Sequence, residues 1–143
     1  MVASAVLAML PVAGVFELPG LARRAVAAVG ESLTLADRVN AERAAANLEP
    51  IGYGIGLNIG TVMYGNIGVP ERLAFSAVGP TVIEVARIEK LTKAVGARAI
   101  ATRDIASFEP HLWRSIGEHS LEGSNYRQEL FGFRETEAAQ AAA

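Results

Sequence analysis

Residues 53–89 read YGIGLNIGTVMYGNIGVPERLAFSAVGPTVIEVARIE, and this stretch carries most of the information about the fold. From 52 to 67 apolar residues alternate with small or polar ones, which predicts two strands, with Gly60-Thr61 placed where a hairpin could reverse. Leu73 to Val78 predicts a further strand, broken by Gly79-Pro80. Thr81 then precedes Glu84 by three residues, the spacing of a reciprocal helix cap. In the helix that follows, Val85, Ile88, Leu91 and Val95 fall on one side and face a core, while Ile83, Arg87 and Lys90 project elsewhere. Gly96 is a natural stop.

Outward from this segment, the apolar run AVLAML at 5–10, ended by Pro11, predicts a buried strand. The alanine-rich region 18–47 has helical periodicity through Leu21, Val26, Val29, Leu33 and Val39. Pro19 suits its first turn, and Gly30 is a place where it could divide in two. Beyond the central helix the pattern predicts a strand at 98–102, a short helix after Thr102, and strands near 114–121 and 128–133. Strands alternating with helices predict an α/β or α+β domain over residues 1–134, with helices on the faces of a sheet. The tail 135–143, largely Ala and Glu, has no means of burying itself and is expected to fray.

A chain of 143 residues with 51% hydrophobic and 20% charged residues forms one core rather than two. A net charge of −2 without a cationic run leaves no electrostatic footprint for nucleic acid or an anionic membrane. The absence of cysteine excludes disulfides, thiolate catalysis and Cys-based zinc sites, and suits a reducing cytoplasm. No segment reaches the roughly 18 uninterrupted apolar residues of a membrane helix.

The strand, turn and helix around 73–87 form the best candidate site. Amides at a helix N-terminus favour an anion, and Arg87 adds a cation further along the helix. Ser76 offers a hydroxyl to a base or sugar. The plainer alternative has Arg87 pairing with Glu84 or Glu89 on a solvated face, and spacing alone favours it. Asp occurs only at 37 and 104, neither on a strand beside the site, so no autonomous metal centre is expected. His111 and His119 follow no ligand or triad pattern, and Trp113, Phe131 and Phe133 read as core.

The motifs GxVxYGNIG, then PERLxFxxxG, then a helix ending in ARIE, with LEGSNYRQELFGF near the end, closely resemble class III nucleotidyl cyclases of the bacterial adenylate cyclase type. The resemblance covers roughly the C-terminal two-thirds of that catalytic domain and implies a truncated, ferredoxin-like βαββαβ sheet. In the family two domains meet head to tail around ATP, and two aspartates hold two Mg or Mn ions. The 3′-hydroxyl then attacks the α-phosphate and releases pyrophosphate and cyclic AMP. The resemblance assigns Ser76 and Gly79 to substrate binding and Arg87 to the cation that steadies the transition state. It also sets Ile83 where an Asn is expected and Ser4 where the second metal-binding Asp is expected. Glu122 and Ser124 occupy a region in which the family often has a cation for the phosphates.

A hydroxyl is a poor substitute for a carboxylate on magnesium, and the first metal Asp and first strand have no counterpart in these residues. The resemblance therefore implies a degenerate cyclase domain that binds no metal and little or no ATP alone. Its implied partner is a second copy or another cyclase domain, and it forms cyclic AMP slowly or not at all. A non-catalytic partner that docks on an intact cyclase and regulates it is the alternative. Loss of a central strand also implies unpaired backbone, which invites dimerisation, rearrangement or marginal stability.

Overall fold

In the computed structural model residues 5–71 and 74–135 are described. A single turn of 3-10 helix, Val15–Glu17, leads into α1 (Leu18–Ala45). The order is then β1 (Ile55–Leu57), β2 (Met63–Ile67), β3 (Ala74–Val78), α2 (Pro80–Val95), β4 (Ala99–Thr102), α3 (Arg103–Ala106), β5 (Trp113–Ser120) and β6 (Arg127–Phe133). Strands β1, β4, β6 and β5 form one mixed sheet in that order, and β2 and β3 form a separate antiparallel ribbon. The mixed α+β class expected from the sequence is the one observed.

The sheet is covered on both faces. Helix α1 buries Ala22, Val26, Val29 and Leu33, and three of these pack with Leu57, Ala99, Ala101, Trp113 and Phe133. Alternation along β4 and β6 turns Ile100 and Leu130 to the opposite face, where they meet Ile88 of α2. The four positions expected to face the core from α2 divide into buried Ile88 and half-buried Val85, Leu91 and Val95. Trp113 meets Phe133 edge to face, with ring centroids 5.3 Å apart.

Glycine decides how α2 sits on β1. A methyl group built on Gly56 would stand 2.7 Å from the Val85 carbonyl oxygen and 3.0 Å from the Glu89 nitrogen. One built on Gly54 would stand 1.9 Å from Thr92 Oγ1. The bare backbone of β1 therefore lies directly beneath the helix.

Four expectations need correction. Residues 5–10 form no strand: Val6 is 93% exposed and Leu7, Met9 and Leu10 are also exposed, because no neighbouring strand presents a ladder to them. The long helix is not divided at Gly30, since Val29 and Leu33 are buried on either side and the Phe133 ring lies 3.7 Å from where a methyl would be. Gly60-Thr61 makes no hairpin, because β1 pairs in parallel with β4 while β2 pairs with β3. Its glycine instead lets the chain pass Thr81, whose Oγ1 would be 2.3 Å from a methyl there. The cap expected of Thr81 and Glu84 is not formed: the helix begins at Pro80 with no side-chain cap, and Glu84 is drawn to β6 and its preceding turn. Gly96 does end the helix, in the left-handed conformation. The last two strands lie where they were expected, and Leu73 and the tail from Thr136 lie outside the described residues.

Two expected outcomes follow from this packing. Gly56→Ala forces backbone apart and lowers the free energy of unfolding by about 1–3 kcal/mol, read from the denaturant midpoint. An unchanged midpoint would refute the close approach of α2 to β1. The second concerns Arg98, which binds Asp37 of α1 at 2.7 Å and also binds Glu135. The Arg98 bond holds the Asp37 carboxyl below its ordinary range. A lowered value means stability present above the unfolded value of about 3.9 and lost as pH falls through the folded one. Asp37→Asn therefore reduces stability at neutral pH, and its difference from wild type closes on acidification. A gap that stays constant with pH refutes the linkage.

Candidate functional site

The ribbon and α2 are one continuous device. Strand β3 carries Ser76 opposite Gly65 of β2, and the chain enters α2 through Gly79. Gly79 has φ 129°, a conformation that L side chains rarely adopt, so the turn requires glycine. Its carbonyl accepts a hydrogen bond from the Ile83 N–H at 3.2 Å, which starts the helical ladder. Ser76 is half-buried at the base of this turn.

Ile83 is 50% exposed and stands one turn before Arg87, so a β-branched hydrocarbon and a cation share one surface of the helix. Arg87 is half-buried, and its guanidinium lies along the turn after β5. A methyl on Gly123 would be 2.9 Å from Arg87 Nη2 and 3.3 Å from Cζ. Gly123 has φ 75°, and the Ser124 N–H donates to the Leu121 carbonyl at 2.9 Å, which closes that turn. Glycine is thus required twice at position 123, by backbone angle and by the passing guanidinium.

Of the two carboxylates that could pair with Arg87, Glu84 is engaged elsewhere. Glu84 accepts hydrogen bonds from Gln128 Nε2 at 3.1 Å and from the Tyr126 hydroxyl at 3.3 Å. The Glu84 charge beside the phenol raises the Tyr126 pKa above its ordinary value. Among the described residues Arg87 makes no ion pair with Glu84 or Glu89, contrary to the pairing that spacing favoured.

Metal coordination finds no matching donor set here. Among the described residues no three His, Asp or Glu side chains come together, and Asp37 is held by Arg98 on the surface. Ser4, where the resemblance expects a carboxylate, lies outside the described residues. The structure therefore brings Ser76, Gly79, Ile83 and Arg87 onto one strand-turn-helix unit and joins the 121–124 turn to it.

Sequence reasoning missed a polar cleft of about 330 Å³ on the other side of the α2 N-terminus. Asn58, Thr81, Glu84, Thr102, Asp104 and Gln128 line it, and buried Thr102 Oγ1 has no hydrogen-bond partner among the described residues. These residues come from four stretches far apart in the chain, at 58, 81–84, 102–104 and 128, so no local pattern could have assembled them. Asp104, expected only to begin the short helix, stands at its rim.

Comparison with known proteins supports the resemblance at the level of fold. No family model matches the chain. The uncharacterized proteins Rv1319c and Rv1318c of Mycobacterium tuberculosis (strain ATCC 25618 / H37Rv) are 35% and 33% identical over 86 and 87 residues, 58% and 59% of this chain. The aligned part is 16% of the length of each of these relatives. The crystal structure of the guanylyl cyclase Cya2 superposes with a TM-score of 0.65 and 27% identity, covering 78% of this chain and 57% of that one. The adenylyl cyclase CyaB from P. aeruginosa superposes at 0.63 with 20% identity, covering 79% of this chain and 60% of that one. The chain has the fold of the class III adenylyl and guanylyl cyclases.

Proposed function

We propose that this chain is a degenerate adenylate cyclase domain: it offers a phosphate-binding half-site to a nucleotide at a domain interface but does not convert ATP to cyclic AMP alone. The observation that carries this reading is Arg87, half-buried, laid along the Gly123 turn and not ion-paired among the described residues. A cation kept in that state is suited to phosphate oxygens, to which a guanidinium donates two parallel hydrogen bonds.

Three other features limit what the half-site does. Ile83 presents hydrocarbon where an amide would donate to the nucleotide, so polar contact is lost one turn from Arg87. Glu122 places a negative charge in the turn beside the guanidinium, which opposes an incoming phosphate. The described residues hold no carboxylate cluster for a divalent ion. Ser76 retains a hydroxyl able to meet a purine edge, and adenine is the base that the sequence resemblance favours.

The alternative of a regulatory partner is favoured by a specific surface. Met63, Tyr64 and Val78 of the ribbon and Ile83 of α2 are all exposed, and Met63 pairs with Val78 at the end of the ribbon where the chain enters α2. Apolar side chains grouped on a projecting ribbon mark a surface for another domain. In that role Ile83 packs against the partner instead of contacting nucleotide, and the domain completes an interface without turnover.

Purified protein given ATP and Mn²⁺ is expected to form no cyclic AMP above a protein-free blank by mass spectrometry. It is expected to bind a fluorescent ATP analogue weakly, and Arg87→Ala is expected to weaken that binding about 10–100-fold, the loss of a charge-assisted pair. Ile83→Asn is expected to strengthen it. Sustained cyclic AMP formation overturns the degenerate reading, and binding indifferent to Arg87→Ala overturns the phosphate role.

A further inference from the structure

Strand β1 lies at one end of the sheet and, among the described residues, is hydrogen-bonded on one side only. Ile55 and Leu57 turn their backbone groups to β4, as the Ile55 N–H bond to the Arg98 carbonyl shows at 2.9 Å. In a parallel ladder the intervening residue faces the other way, so the N–H and C=O of Gly56 point out of the free edge. The positions that side chains would take at Gly54 and Gly56 are filled by α2, so that face is covered and it is the in-plane edge of β1 that is open among the described residues.

A second feature adjoins this edge. The residues leading into β1 and the second half of α1 enclose an apolar groove of about 350 Å³, lined by Leu35, Ala36, Val39, Ile51 and Tyr53. Leu35 is 49% exposed and Ile51 51%. The groove is held open by polar bonds at its walls. Asn40 exchanges two hydrogen bonds with the Ile51 backbone, at 2.7 and 2.8 Å, and the Tyr53 hydroxyl donates to the Ser32 carbonyl at 2.7 Å. An apolar stripe of α1 thus extends beyond the sheet, covered only in part by Ile51 and Tyr53.

The same chain carries a segment with the opposite defect. AVLAML at 5–10 is apolar throughout, exposed and in no ladder, with Val6 93%, Leu7 47% and Leu10 42% exposed. Six extended residues span about 20 Å, enough to run along β1 and into the groove. We infer that two copies of this chain associate by strand exchange, residues 5–10 of each pairing with the free edge of β1 in the other and packing under Leu35 and Val39. The exchange is reciprocal, so the contact closes as a two-fold dimer and leaves both edges covered. It is separate from the nucleotide half-site, which lies on the ribbon and α2, and it stands whether or not that reading holds.

Light scattering on the eluting full-length protein is expected to give twice the 15.0 kDa chain mass, falling toward one chain on dilution. Leu7→Lys in the donor and Leu35→Glu in the acceptor are each expected to give monomers. Mixing the two variants is expected to restore a dimer, because the pair retains one intact exchange and sets Lys against Glu in the other. Hydrogen exchange is expected to show the Gly56 amide slowed in the wild-type dimer and fast in Leu7→Lys. A wild-type monomer at every concentration overturns the inference. So does a dimer that survives either substitution, a mixture that stays monomeric, or a dimer abolished by Met63→Asp alone.

Discussion

Helix α2 lies on β1 at a separation that leaves no room for a side chain, and the arrangement of the site depends on that contact. Gly54 and Gly56 supply the space, with Thr92, Val85 and Glu89 pressed against them. Because the helix is lowered onto the sheet, Ile88 becomes fully buried against Ile100 and Leu130. That burial fixes the rotation of the helix about its axis. Arg87, one residue before Ile88, is then turned aside toward the 121–124 turn, and Glu84 is turned toward Gln128 and Tyr126. A cation and a carboxylate only three residues apart are separated by packing, which is why they do not neutralise each other.

This constraint also explains what could be read from the sequence and what could not. The helical period of 80–95 placed Ile88 inside and Ile83 outside, and both positions are as expected. Gly96 and the last two strands were equally legible, since each rests on local spacing. The reciprocal cap failed for a different reason. Thr81 and Glu84 have the required spacing, yet Glu84 finds two donors more than 40 residues away, and one carboxylate serves them instead of the backbone. A local motif competes with tertiary partners that local spacing does not display.

Gly60 illustrates the same limit. A glycine followed by a β-branched threonine between two alternating stretches reads as a hairpin, but its requirement for small size comes from Thr81 at the start of α2. The chain crosses there from the four-stranded sheet to the ribbon, and parallel pairing of β1 with β4 is a contact across more than 40 residues. The polar cleft at Thr102 was invisible because strands, helices and loops each contribute only one or two of its residues. Arg87 was legible as a candidate, while its lack of an ion pair among the described residues was not: the two neighbouring carboxylates in sequence, Glu84 and Glu89, gave no hint that Glu84 would be taken by Tyr126 and Gln128.

The fate of AVLAML shows how far composition can determine structure. Six apolar residues favour burial, worth about 25 cal/mol for each Å² of apolar surface removed from water. Burial of a strand also requires that its amides and carbonyls find partners, and an unpaired group withdrawn from water costs about as much as several buried methylenes return. The described residues offer these six no ladder, so the segment remains in solvent despite its composition. Strand β1 has the complementary problem, with one row of backbone groups satisfied by β4 and one facing outward. The edge is open because β1 is the last strand of the order β1, β4, β6, β5, whereas the glycines govern the face, where α2 takes the space that side chains would fill. Helix packing therefore depends on the two glycines and edge exposure on the strand order, so a side chain at either position would lift α2 without covering the edge.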